Sequence, residues 1–211
     1  MPPKTTSIIW TGLFLVPFVW SAIAPHDYLT WFLEVLPAIV AFCLLAATRR
    51  QFPLTPLCYW LILMECIILM IGGHYTYAHV PAFDWVRDYF HQSRNNFDKL
   101  AHFTQGFVPA IAAREVLIRF SVVQSRHWLV FLVTCVCLAI SAFYELIEWW
   151  VALVSKQAAE AFLGAQGYEW DTQSDMAFAL VGALVALAWL SRVHDAQIAR
   201  LTPADPPILN R

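Results

Sequence analysis

Seven ionisable side chains lie at, or close to, one end of apolar segments, where membrane proteins rarely retain such groups. They are His74, Asp98, His102, Glu145, Glu148, Asp171 and Asp175. A charged side chain within a bilayer costs at least ~2.5–3.5 kcal/mol, so a residue of this kind points to a functional site. Most of the seven are carboxylates, and carboxylates brought together repel one another unless cations or protons neutralise them. The set therefore predicts a site that binds cations or handles protons.

The carboxylates and histidines occur in pairs whose spacing places both members on one face of a helix. The pairs are Asp98 with His102, Glu145 with Glu148, and Asp171 with Asp175. Helix bundles build metal sites from inward-facing carboxylates and histidines at this spacing. Oxygen-rich ligand sets with an imidazole suit Mg, Mn, Zn or Fe. The sequence thus predicts that all seven residues ligate a divalent metal ion. The predicted catalytic groups are Asp98, His102, Glu145 and Glu148.

Structural explanations exist for several of these residues taken singly. Asp98 and Asp171 each precede an apolar run and could serve only as helix N-caps. Glu148 could form an interhelical ion pair with Lys99. Glu145 lies deeper in its segment, where capping does not explain it. The structural interpretation therefore accounts for single residues better than for the set.

The segments that carry these residues predict a membrane protein. The chain of 211 residues is 60% hydrophobic and only 13% charged, with a mean hydropathy of +0.58, whereas soluble domains are about 25% charged. Apolar runs of about 20 residues are long enough to cross a bilayer as helices. The predicted fold is all-α: a polytopic membrane protein with a bundle of six transmembrane helices. The spans are predicted at about residues 7–24, 28–47, 54–75, 98–119, 127–152 and 172–193. They form one domain over residues 1–195, and residues 196–211 are predicted to be a disordered cytoplasmic tail.

The distribution of basic residues predicts the orientation of the bundle. With six spans, one side receives most of the arginines, for example Arg49, Arg50, Arg126 and Arg192. By the positive-inside rule this side is cytoplasmic, so both termini are cytoplasmic and the acidic pairs lie at the outer end. No basic patch is present, which excludes nucleic acid as a partner and leaves membrane lipid.

The cysteines and the other polar or charged residues within or next to the apolar segments receive simpler interpretations. The cysteines lack the spacing of a zinc or redox site and are expected to pack as small apolar residues. Arg114, Glu115 and Arg119 are expected to snorkel towards the cytoplasm. Glu34 and Glu65 are expected to face the bundle interior, and His194 is expected to bind nothing.

Several sequence blocks resemble the YjdF family of bacterial inner-membrane proteins, whose function is unknown. The blocks are residues 72–77 (GGHYTY), 94–103 (RNNFDKLAHF), 143–149 (FYELIEW), 162–167 (FLGAQG) and 170–176 (WDTQSDM). The resemblance extends over about residues 7–195 and implies a multi-pass protein of the bacterial inner (plasma) membrane.

A looser resemblance connects the chain to VanZ-like proteins. Their pattern has Asp-Lys-x-x-His in one span, Glu in the next and Asp at the start of the last. The corresponding residues here are Asp98, Lys99, His102, Glu145 and Asp175. The VanZ-like Gln that follows the Glu is not matched. VanZ-like proteins are associated with glycopeptide resistance and the cell envelope, so this resemblance implies an envelope role and no particular chemistry.

Three functional hypotheses follow. The first is a metal-dependent enzyme that acts at the outer leaflet on a lipid or lipid-linked envelope substrate, because a bound cation neutralises carboxylates and lowers the pKa of water. The second is a proton- or ion-coupled transporter or a non-catalytic envelope binding protein. The third is a buried structural hydrogen-bond network. The mostly apolar inner halves of the last three spans favour a one-sided site, but the sequence leaves open whether the protein is an enzyme.

Overall fold

Helices form all the regular structure in the described residues, which are 4–154 and 166–201 of a computed structural model. The α-helices, in chain order, are α1 Lys4–Ser21, α2 Tyr28–Thr48, α3 Pro56–Tyr75, α4 Pro81–Tyr89, α5 Phe97–Arg119, α6 Arg126–Val154 and α7 Asp171–Leu201. A 3₁₀ turn, Tyr77–His79, joins α3 to α4. The predicted all-α fold is therefore confirmed in this part of the chain.

Within the described residues, four helices are long and apolar enough to cross a membrane by length and composition, namely α2, α3, α6 and α7. The apolar part of α1, Thr6–Ser21, is shorter. Helix α5 carries charged residues in both its first and its last turns. Both helices nevertheless lie where apolar runs predict spans. The fold is that of a helical membrane protein, and the count of six spans stays a prediction.

Local sequence determines where two of these helices begin. Asp27 accepts a hydrogen bond from the backbone N–H of Thr30 at 2.8 Å, which caps α2 and lowers the pKa of the Asp27 carboxyl group. Pro56 occupies the first turn of α3 directly after its N-cap Thr55, a position that needs no backbone donor.

The last helix is longer than predicted. Helix α7 continues to Leu201, beyond the predicted end of the span at residue 193. The first six residues of the predicted disordered tail are therefore helical, and residues 202–211 lie outside the described residues.

Two apolar cores hold the helices together. The first joins α1, α2 and α3 through residues such as Phe14, Val35 and Met70. The second joins the start of α3 to α5, α6 and α7 through residues such as Ile111 and Val133. Helix α3 contributes to both cores and so connects the two halves of the bundle.

Helices α5 and α7 approach each other closely at two glycines. Because a glycine has no side chain, the backbone of the facing helix packs directly against it. A Cβ atom on Gly106 would lie 1.8 Å from the carbonyl oxygen of Ala179, and one on Gly182 would lie 1.9 Å from that of Phe103. Small residues at such crossings allow membrane helices to approach closely. This crossing aligns the first turns of α5 and α7, which carry the paired acids.

Helix α4 lies outside the bundle and is tied to the start of α5. The side-chain amide of Asn95 donates hydrogen bonds to the carbonyl of Val80 and to Asp84 Oδ1, both at 3.0 Å. Trp85 and Tyr89 on this helix are exposed. Exposed tryptophan and tyrosine are typical of the membrane–water interface, so α4 fits that depth.

Candidate functional site

The first turns of α5 and α7 form a buried ion-pair network centred on Lys99. Its Nζ donates to Asp171 Oδ1 at 2.7 Å and to Asp175 Oδ1 at 2.5 Å, and it lies 3.4 Å from Asp98 Oδ2. Arg94, just before α5, donates from Nη1 to Asp171 Oδ1 at 2.5 Å and from Nη2 to Asp98 Oδ2 at 3.3 Å. All five residues are buried, with at most 9% of their surface exposed. Two cations thus neutralise most of the charge of the aspartates.

Asp98 and Asp175 each turn their second carboxylate oxygen towards His102. The ring Nε2 lies 3.3 Å from Asp98 Oδ1 and 3.9 Å from Asp175 Oδ2. The ring Nδ1 lies 3.1 Å from Gln105 Oε1. An amide oxygen only accepts, so Nδ1 carries a proton and Nε2 of a neutral ring offers its lone pair towards two carboxylates. That arrangement is unfavourable unless the ring gains a second proton or a cation lies between the three atoms.

Two glutamates of α6 complete the cluster. Glu145 Oε1 lies 4.0 Å from His102 Nδ1 and has no hydrogen-bond partner among the described residues. Glu148 is also buried, and one donor atom from each of His102, Glu145 and Glu148 lies within 4.8 Å of the others. Lys99 contacts aspartates, so the alternative Glu148–Lys99 ion pair is not formed. Two further carboxyl groups thus lie close to His102.

The structure brings together six of the seven predicted site residues. They are Asp98, His102, Glu145, Glu148, Asp171 and Asp175. Two triads have potential metal-ligand atoms close enough together to hold a metal ion. One triad is Asp98, His102 and Asp175, and the other is His102, Glu145 and Glu148. Asp171 belongs to neither triad and instead forms ion pairs with Arg94 and Lys99. Asp98 lies inside α5, whose N-cap is Asn96, so capping does not explain it.

His74 is the predicted ligand that the structure does not bring to the cluster. Its Nδ1 lies 3.1 Å from the carbonyl oxygen of Ser21, and its ring lies 4.4 Å from that of Trp20. The C-terminal end of α3 packs against α1, and that packing turns the imidazole away from α5 and α7. His74 belongs to neither triad.

The structure contains a second buried cluster at the opposite end of α5, whose residues are not among the predicted site residues. Its centre is Glu115, which is fully buried and accepts hydrogen bonds from several elements. The donors are Thr55 N–H (3.0 Å), Thr55 Oγ1 (2.7 Å), Cys58 Sγ (3.0 Å), Arg119 Nη1 (2.7 Å) and His194 Nε2 (3.1 Å). Glu115 therefore joins α3, α5 and α7. Cys58 and His194 therefore take part in a hydrogen-bonded contact that the sequence pattern does not predict.

Arg114 determines which nitrogen of His194 is protonated. Its Nη1 lies 3.1 Å from His194 Nδ1, and a guanidinium only donates, so Nδ1 accepts. The proton of His194 is then on Nε2, which donates it to Glu115. Cys58, Glu115 and His194 have donor atoms within 4.8 Å of one another, but a protonated Nε2 cannot ligate a metal ion. The group around Glu115, which is the inner cluster in the predicted orientation, is a hydrogen-bond network.

An apolar layer separates the two clusters. Glu115 follows His102 by thirteen residues along α5, about 20 Å at the helical rise. Buried residues between them include Ala110, Ile111, Val133, Cys137 and Ala183. The group around Lys99, His102 and Glu145, which is the outer cluster in the predicted orientation, therefore lies at one end of these helices, as the sequence pattern indicates.

Sequence comparisons place the chain among membrane proteins. A family model described as "Predicted membrane protein (DUF2238)" matches residues 6–196. The chain is 54% identical over 182 residues to the inner membrane protein YjdF of Escherichia coli (strain K12), which is 86% of this chain and 87% of that protein. No solved structure matches. These matches do not show the looser likeness to VanZ-like proteins.

Proposed function

The chain belongs to the family described as predicted membrane protein (DUF2238) and is a multi-pass inner-membrane protein, and we propose that its outer cluster binds a divalent cation. The supporting observation is the convergence of Asp98 Oδ1, Asp175 Oδ2 and His102 Nε2, of which no two form a favourable pair when the ring is neutral. Two carboxylates and one histidine are a ligand set that leaves further positions open on Fe, Mn or Zn.

The surrounding residues fit this role. Lys99 holds the second oxygen of Asp98 and of Asp175, which fixes both carboxylates. Gln105 accepts from His102 Nδ1–H, the outer contact that orients metal-ligating histidines. Glu145 Oε1, buried and unpartnered among the described residues, is available as a further ligand or as a proton acceptor.

We further propose that the protein is an enzyme that acts at the outer leaflet on a lipid or lipid-linked envelope substrate. A divalent cation supplies Lewis acidity when bound. Glu145 would accept a proton from the reacting group, and Arg94 and Lys99 would hold the aspartates in place. The exposed aromatics of α4 lie on the element tied to the start of α5, which supports a site near the headgroups. The apolar layer supports this interpretation over a transport path.

Metal content tests the proposed site. Protein purified in detergent, loaded with Zn²⁺ or Mn²⁺ and dialysed, is expected to retain the cation, as measured by mass spectrometry of the metal. Asp175→Asn should weaken retention by at least about tenfold, as lost ligand or outer contacts do. Cys58→Ser should leave retention unchanged, because the inner cluster does not bind metal.

Glu145→Gln distinguishes the two triads. Its Oε1 has no partner to lose, so the variant should remain folded. Retention of the cation would assign it to Asp98, His102 and Asp175, whereas loss would assign it to His102, Glu145 and Glu148. If wild-type protein retains no more cation than a folded double variant Asp175→Asn/Glu145→Gln, the proposed site is wrong.

Orientation is a separate prediction, since the site must face outwards to reach an envelope substrate. We propose six spans with both termini cytoplasmic, as the positive-inside rule indicates. A reporter enzyme fused after Arg211 should report the cytoplasm, and one inserted near His91 should report the outside. A cytoplasmic signal at His91 would contradict both the orientation and an outer-leaflet site.

A further inference from the structure

Glu34 of α2 is a buried carboxyl group that contacts the outer site through a tyrosine. The Tyr144 hydroxyl donates to Glu34 Oε2 at 2.6 Å, a contact between α2 and α6. Glu34 is 1% exposed, and no Lys, Arg or His nitrogen of the described residues forms an ion pair with it. A buried carboxylate with hydroxyl donors but no paired cation is costly in an apolar interior, so the neutral acid is the favoured form of Glu34.

A small cavity connects Tyr144 with the cluster. It is lined by Leu69, Tyr77, Ala101, His102, Gln105 and Tyr144, and its volume is about 10 Å³. One water molecule requires about 10–15 Å³ and two or more polar partners. The polar groups of Tyr144, Gln105 and His102 border this space, so it suits a single bridging water.

We propose that Glu34 is the proton donor of the outer site, acting through Tyr144 and one water in this cavity. For the transfer, the Tyr144 hydroxyl turns from Glu34 Oε2 towards the water, and the Glu34 hydroxyl then donates to the Tyr144 oxygen. The Glu34 O–H bond breaks as its proton moves to the Tyr144 oxygen, and the Tyr144 O–H bond breaks as its proton moves to the water. The water gains this proton and releases one of its own to the reacting group of the proposed substrate. Glu34 is left as the carboxylate until a proton returns along the same path. This role rests on the function proposed above.

Infrared spectroscopy of the full-length protein at neutral pH tests the proposal. A carboxylic-acid C=O band should be present in the wild type and absent from Glu34→Gln. Tyr144→Phe should shift that band to higher frequency, because the carbonyl loses its hydrogen-bond donor. The control is Glu65→Gln, a half-buried glutamate of the neighbouring helix α3 whose Oε2 atom is buried, which should leave the Glu34 band in place.

The rate of hydrogen–deuterium exchange tests the path. In D₂O, the Glu34 band should exchange more slowly in Tyr144→Phe, and also in Ala101→Val, whose added methyl groups fill the cavity. A merely structural Glu34 would show unchanged exchange in both. Absence of a band that Glu34→Gln removes, or exchange unaffected by both variants, would overturn the proposal.

These measurements are independent of metal binding. If the band and its exchange behave as expected while no cation is retained, the cation site fails and the proton donor stands. If a cation is retained but the band is absent, the proton donor fails alone.

Discussion

Replacing Lys99 with methionine is expected to destabilise the folded protein by about 3–5 kcal/mol, the usual cost of removing one partner from a buried ion pair. Lys99 Nζ is within 3.4 Å of three aspartates, and Asp175 has no bond to Arg94 in the network. Methionine has a similar length and volume, so loss of charge is the main change. A thermal melt of the protein in detergent, calibrated by denaturant unfolding, measures the effect.

Two further variants control for a general effect of removing a cation. Arg87→Met removes a cation paired with Asp84 and Asp88 at the surface and should not change the melt measurably, since exposed ion pairs contribute little. Lys99→Met combined with Asp175→Asn should recover part of the loss, because one stranded charge is removed. If Lys99→Met alone melts at the wild-type temperature, the aspartates are protonated and neutral, and no buried charge is left unpaired.

Gly182→Ala should separate α5 from α7 and disrupt the outer cluster. The new Cβ would lie 1.9 Å from a backbone oxygen of Phe103, and backbone cannot rotate away as a side chain does. Overpacking by one methyl group typically costs about 1–3 kcal/mol, and this contact should reach the upper end. Asp98 and Asp175 lie on the two helices that move apart, so cation retention should fall together with the melting temperature.

The matched control for this substitution is Gly12→Ala. A Cβ on Gly12, in α1, meets nothing within 4 Å, and alanine favours helix by roughly 1 kcal/mol over glycine. That variant should melt at the wild-type temperature or slightly above. Equal melts and equal cation retention for the two alanine variants would contradict the close crossing.

Apolar run length and residue spacing predicted the positions of the long helices and much of the site. The four-residue spacing of Asp98 with His102 and of Asp171 with Asp175 placed each pair on one helix face, and the structure brings both pairs together. This worked because helical periodicity is local, so it can be read without knowing which helices are neighbours.

Long side chains and distant partners were not predictable in this way. Lys99 points about 100° from the Asp98 face, yet its flexible stem reaches the aspartates of α7. Glu115, Cys58 and His194 each had an adequate local explanation, and their contact joins residues 57 to 136 positions apart. Arg94 lies in a connection, where no helical face could be assigned.

The ion pairs of Lys99 also have a consequence for membrane insertion during synthesis. Asp171 and Asp175 follow Lys99 by 72 and 76 positions, so α5 leaves the ribosome well before these two of its three aspartate partners are synthesised. Helix α5 is not among those apolar enough to cross a membrane by composition. If α5 spans the membrane as proposed, it is stabilised there by α7, the last helix of the described residues. A nascent chain that stops before α7 leaves Lys99 without the two aspartates, and we expect quality-control proteases to recognise that unpaired charge as a sign of incomplete assembly.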